Sequence, residues 1–123
     1  MHEMGLAQGI LEVVLEAAKG ENVHRIDLSI GKGQIVMRDS LEFSFSLVAE
    51  GTPAAGARFA VTELPLVVRC GQCGGENEAD TPPWNCRRCG SSNTQIVSGD
   101  EFMVDAVELA SGRVVRRKSA AQS

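Results

Sequence analysis

A chain of 123 residues with 43% hydrophobic content suffices for one domain, or for one small domain carrying a metal-stapled insert. Four Phe, one Trp and no Tyr call for an aliphatic core, and no apolar run approaches a membrane span. The net charge of −4 is uneven: residues 1–110 hold 8 basic against 16 acidic side chains, whereas Arg113, Arg116, Arg117 and Lys118 follow with no acid among them, so the body repels phosphate and speaks against nucleic-acid binding.

The first three residues, Met1, His2 and Glu3, can form a chelate. A free α-amine, the His2 backbone nitrogen and the His2 imidazole close adjacent five- and six-membered rings around one divalent ion, a square-planar arrangement that nickel(II) and copper(II) prefer. A fourth position is left for Glu3 or for a group from elsewhere. Retention of the initiator methionine is expected, because its removal normally needs a small second residue. Taken alone the signal is weak, and a solvated imidazole or a tag remnant is the commoner reason for a histidine at this place.

From Met4 to Lys19, apolar residues at Met4, Ala7, Ile10, Leu11, Val14, Ala17 and Ala18 follow helical spacing, with Gln8, Glu12, Glu16 and Lys19 opposite. The interrupting Gln8, Glu12 and Glu16 exclude a secretory apolar core, so a cytoplasmic, reducing location is expected. Gly20 stops the helix. Ile26, Leu28 and Ile30 alternate with Arg25, Asp27 and Ser29 as a half-buried strand ended by Gly31 and Gly33. Met37 to Ala49 fits either period, and Asp39 with Glu42 three residues on suggests a capping box and hence a helix. Gly51, Pro53 and Gly56 make a turn before a strand beginning at Phe59 and Val61, which Pro65 ends or bends.

All four cysteines then fall in two C-x-x-C pairs, Cys70/Cys73 and Cys86/Cys89, twelve residues apart. Each pair forms a tight turn that aims two thiolates at one point, and two such turns complete the closed four-sulfur site of structural zinc. Two disulfides, or a tetrahedral iron site, are the alternatives. Residues 66–97 offer few large apolar side chains (Leu66, Val67, Val68, Trp84, Ile96, Val97), too few to fold without a metal. Beyond them, Phe102 and Val104 alternate in one phase and Val107 and Leu109 in the other, which implies a β-bulge near Asp105 or Ala106.

The expected fold class is α+β: two helices packed on a small, mostly antiparallel three-stranded sheet, with an inserted four-cysteine zinc-ribbon-like subdomain. Residues 1–65 and 99–110 would form the main domain, 66–98 the metal-bearing insert, and 111–123 a disordered basic tail.

The motifs Met1-His2-Glu3, Gly9-Ile10-Leu11-Glu12, Ile30-Gly31, Leu41-x-Phe43-x-Phe45, Glu50-Gly51-Thr52, the paired cysteines and Ile96-Val97-Ser98-Gly99 together resemble the HypA/HybF family of nickel-insertion accessory proteins for [NiFe] hydrogenase. The resemblance implies nickel bound at Met1, His2 and Glu3 as transferred cargo, and structural zinc at Cys70, Cys73, Cys86 and Cys89. It also implies a nickel metallochaperone rather than an enzyme, working with the GTPase HypB and the hydrogenase large-subunit precursor, without membrane or nucleic acid. The competing reading is a zinc-ribbon adaptor for nucleic acid or a transcription complex, which a salt-dependent affinity for DNA or RNA would favour.

Overall fold

A computed structural model describes residues 2–79 and 83–116, with the His2 side chain left aside. The elements run α1 (His2–Ala18), β1 (Val23–Gly31), a 3-10 turn (Lys32–Gln34), α2 (Arg38–Val48), β2 (Arg58–Leu64), β3 (Leu66–Cys70), β4 (Glu76–Ala79), β5 (Thr94–Ser98), β6 (Phe102–Leu109) and β7 (Val114–Arg116). They form an α+β fold with one four-stranded sheet, ordered β2-β1-β6-β7, and one three-stranded sheet, ordered β4-β3-β5. The chain divides into two compact units. Among the described residues, one comprises 2–28, 36–62 and 103–116, the other 29–35, 63–79 and 83–102. Among the described residues no helix is long and apolar enough to cross a membrane.

In the first unit α1 buries Ala7, Ile10, Val14 and Ala18, the stripe that helical periodicity requires. It ends where Lys19 and Gly20 take positive φ (49° and 90°), a reversal that glycine accepts without the steric cost of a side chain. The ambiguous segment is a helix. Leu41 and Phe45 of α2 are buried, and the Phe45 ring lies 5.0 Å from that of Phe59 on β2, tilted by 55°. Fully burying such side chains contributes about 1.5–3 kcal/mol each. The two helices pack on each other. A cleft lined by both α2 and β2 and another lined by α1, β6 and β7 set each helix beside the four-stranded sheet. Arg25 on β1 bridges Asp27 at 2.7 Å and Glu108 of β6 at 2.5 Å, a pairing that solvent and salt screen at this exposure.

Two expectations are corrected. The main sheet has four strands, because Val114–Arg116 pairs antiparallel with Ala106–Glu108 inside the stretch taken as a disordered tail. A tight turn makes this possible: Gly112 has φ 95°, its N–H donates to the Leu109 carbonyl, and the Leu109 N–H donates to the Arg113 carbonyl. The rest of the expected tail, 117–123, lies outside the described residues. The capping box also does not form, since the N-cap of α2 is Met37, which has no side-chain cap, while Asp39 sits in the first turn. The β6–β7 register is unbroken through Ala106, Val107 and Glu108. Where the alternation of β6 changes phase, Ala106 and Val107 are two consecutive buried residues.

The second unit holds the cysteines. β3 pairs with β4 from Leu66↔Ala79 to Arg69↔Glu76, and with β5 from Val67↔Ser98 to Cys70↔Thr94, with a register shift between Val67 and Val68. Its core is Leu66, Val68 and Ala79, with Trp84 packed against them. Ile96 and Val97 are 41% and 44% exposed, so the apolar core is smaller than composition implied. At the base of this unit three chain segments cross through glycine. A Cβ on Gly99 would stand 2.3 Å from the Pro65 carbonyl oxygen, and one on Gly31 would stand 2.0 Å from the Gly99 oxygen. Hydrogen bonds from the Gly31 N–H to the Glu101 carbonyl and from the Gly33 N–H to the Gly99 carbonyl, both 2.8 Å, tie the crossing.

Candidate metal centre

The two C-x-x-C turns are built alike. The Gly74 N–H donates to the Cys70 carbonyl and the Cys70 N–H to the Gly75 carbonyl, each at 2.9 Å. At the other turn the Gly90 N–H donates to the Cys86 carbonyl and the Cys86 N–H to the Ser91 carbonyl, again at 2.9 Å. Gly74 and Gly90 occupy the same left-handed position, φ 75° and 77°. A fixed turn then aims both sulfurs the same way, and strand β3 delivers the first turn while the chain before β5 delivers the second.

The result is one cluster. All four Sγ atoms lie within 4.8 Å of one another, with Cys70···Cys89 at 3.5 Å and Cys73···Cys86 at 3.7 Å. Disulfide sulfurs are about 2.05 Å apart, so these are free thiols. Four thiolates held about 2.3 Å from a common tetrahedral ion stand about 3.8 Å apart, close to the spacing here. The sulfurs are further oriented from the backbone: the N–H groups of Gln72 and Cys73 point at Cys70 Sγ, at 3.3 and 3.4 Å. Around the turns, the Gly71 N–H donates to the Asn93 carbonyl at 2.7 Å, and the Arg87 N–H to Asn77 Oδ1 at 3.3 Å.

The electrostatics fit a cation. Donation from the Cys73 N–H, with that from Gln72, outweighs burial and holds the Cys70 thiol down at about 6. The N–H groups of Cys89 and Arg88 lower Cys86 against the same penalty. Cys89 is pushed up to about 11: the Ser91 N–H favours its thiolate, but the bond to Cys70, burial, and contacts with Cys86 and Cys73 together prevail. Thiols that lose their first protons readily and their last with difficulty gather negative charge that a bound divalent ion neutralises.

At the other end, Met1 and the His2 side chain lie outside the described residues, and the His2 backbone opens α1. Glu3 has a role that sequence reasoning missed. Its Oε2 accepts the Met37 N–H at 3.2 Å, so a carboxylate from α1 supplies the cap that α2 lacks in its own sequence. Negative charge is favoured there by the helix dipole. A capping partner 34 residues away leaves no local signature in sequence.

Comparison with known proteins follows the same residues. The family described as "Hydrogenase/urease nickel incorporation, metallochaperone, hypA" matches residues 1–109. A protein named hydrogenase maturation factor HypA from Nostoc punctiforme is 39% identical over 109 residues, covering 89% of this chain and 96% of its own length. Its namesake from Chloroflexus aurantiacus is 40% identical over 112 residues, covering 88% and 98%. The solution structure of the Ni metallochaperone HypA from Helicobacter pylori is similar in fold, with a TM-score of 0.60 at 18% identity over 89% of this chain and 97% of that one.

Proposed function

The chain belongs to the HypA family of hydrogenase/urease nickel-incorporation metallochaperones, and we propose from this that it binds nickel(II) through Met1, His2 and Glu3 and delivers it to the large-subunit precursor of a [NiFe] hydrogenase in the cytoplasm. A HypB-like GTPase is the expected co-worker. The observation that carries the reading is the family match across residues 1–109, which takes in both the N-terminal segment and the four cysteines.

The two metal sites divide the work. Cys70, Cys73, Cys86 and Cys89 hold zinc, supported by the tetrahedral sulfur spacing and by a core of Leu66, Val68 and Ala79 too small to hold the unit alone. Four protein ligands leave no open position to activate water, so this zinc supplies structure and the protein catalyses no reaction of its own. The N-terminal site is the opposite. Few ligands and an exchangeable position suit a cargo that must leave.

Equilibrium dialysis against nickel, with the unmodified chain and with His2→Ala, tests the assignment. His2→Ala loses nickel while keeping its zinc, and affinity in the parent falls between about pH 7.5 and 6 as the α-amine and the imidazole take up the protons that metal binding displaces. Undiminished nickel binding by His2→Ala would remove His2 from the site.

A further inference from the structure

Helix α2 turns an apolar stripe to solvent. Phe43 is 64% exposed and Leu47 46%, and residues four apart stand one above the other on one side of a helix. The opposite side of α2 is already used, by Leu41 and Phe45 in the core. Asp39, four residues before Phe43 on α2, and Glu50, in the turn two residues past the end of α2, are exposed and flank the stripe at its two ends. Its order is therefore acid, apolar, apolar, acid. Beside the first half lies a cavity of about 450 Å³ whose lining joins the apolar Met4 and Phe43 to the carboxylates of Glu3 and Asp39. Arg38, the cation nearest in sequence, is held by Glu42 at 3.0 Å.

We propose that this stripe docks a basic amphipathic helix of a partner protein. Two apolar side chains one turn apart on that helix cover Phe43 and Leu47, and flanking Lys or Arg side chains meet Asp39 and Glu50, one of them entering the cavity between Glu3 and Asp39. Charge decides among the possible occupants. A second copy of this chain would set acid against acid whether the two stripes ran parallel or antiparallel, and like charges across an interface are costly. Anionic lipid and nucleic acid meet the same repulsion. The pattern of apolar anchors framed by charge is the one by which helices recognise helices in grooves and along ridges.

The experiment uses a fluorescein-labelled helical peptide with two leucines four residues apart flanked by lysines, and a second peptide with glutamate in place of each lysine. Both are titrated against the full chain, against Phe43→Ser/Leu47→Ser and against Asp39→Lys/Glu50→Lys, and read by fluorescence anisotropy, with circular dichroism confirming that each variant is folded. The lysine peptide binds the parent and weakens at least tenfold against either variant, while the glutamate peptide binds only Asp39→Lys/Glu50→Lys. Equal binding of the lysine peptide to Phe43→Ser/Leu47→Ser would reduce the effect to attraction by an acidic body and overturn the proposal. So would failure of both peptides on the parent, or sedimentation showing a parent dimer that Phe43→Ser/Leu47→Ser abolishes, since the occupant would then be a second copy.

Discussion

Gly99→Ala tests the glycine crossing that joins the strands of the cysteine-bearing unit. The perturbation is one methyl group. Its carbon would stand 2.3 Å from the Pro65 oxygen and 2.4 Å from Leu66 Cα, both backbone atoms that cannot swing aside. An ordinary carbon–oxygen contact is about 3.3 Å, so the chain must open by about 1 Å next to the fully buried Leu66. Forced overpacking of this kind costs about 1–3 kcal/mol. To this is added the φ of 100°, which an L-residue adopts at about 1–2 kcal/mol. The sum is about 2–5 kcal/mol, a large part of the stability of a small domain. Gly74→Ala is the control, because Gly74 has φ 75° in the same unit but nothing within 4 Å of an added Cβ, so it loses only the backbone share. Urea unfolding followed by Trp84 fluorescence, with metal retention measured on gel-filtered protein, reads both. If Gly99→Ala and Gly74→Ala matched within about 0.5 kcal/mol, the close crossing of Gly99 and Pro65 would be wrong.

Removing the metal with a chelator, or replacing Cys86 by Ser, should red-shift Trp84 emission, because Trp84 packs on a core of only Leu66, Val68 and Ala79; an unchanged spectrum would show a unit that holds itself together without a four-sulfur site. Phe45→Ala should lose about 3 kcal/mol or more in thermal unfolding while Phe43→Ala stays within about 0.5, since the first ring is buried against Phe59 and the second faces water; the reverse order would invert the assigned face of α2. Glu21 is held below its ordinary carboxylate value by hydrogen bonds from Arg113 and then Ser111. Its pKa is lower in the folded state, so its contribution is complete above the ordinary value of 4.5 and disappears as pH falls through the lowered one. Glu21→Gln should flatten that acid limb, most visibly at low salt, and an unchanged limb would show the Arg113 pair contributes nothing.

What could be read from sequence was what short-range spacing encodes. The periodicity of Ala7, Ile10 and Val14 locates α1, the alternation around Ile26, Leu28 and Ile30 locates β1, and C-x-x-C spacing implies the single point at which the four cysteines meet. Pro65 also marked the break between β2 and β3. The strands β3, β4 and β5 were not legible, because Glu76–Ala79 carries one apolar residue and β5 exposes Ile96 and Val97, so neither presents the alternation that a half-buried strand requires. β7 was hidden for a related reason. Three residues beside a run of basic side chains resemble a solvated tail until the Gly112 turn is seen to fold them back on Ala106–Glu108.

The capping of α2 shows most directly why local rules reach only so far. Asp39 and Glu42 satisfy the sequence pattern of a capping box, yet a cap works only if its oxygen reaches the first free N–H groups, and the helix begins two residues too early for Asp39 to do so. The unsatisfied N–H at Met37 still needs an acceptor, and Glu3 provides it from the start of another helix. That choice ties the N-terminal segment to α2. In the proposed nickel site it means that Glu3 cannot turn its Oε2 to a metal without releasing the Met37 N–H, so metal uptake through this oxygen and the fraying of α2 would be linked. Hydrogen exchange at Met37 and the amides that follow, with and without nickel, reads that linkage: faster exchange on loading means that the carboxylate has left the cap, and unchanged exchange means that nickel is held while Glu3 keeps its place.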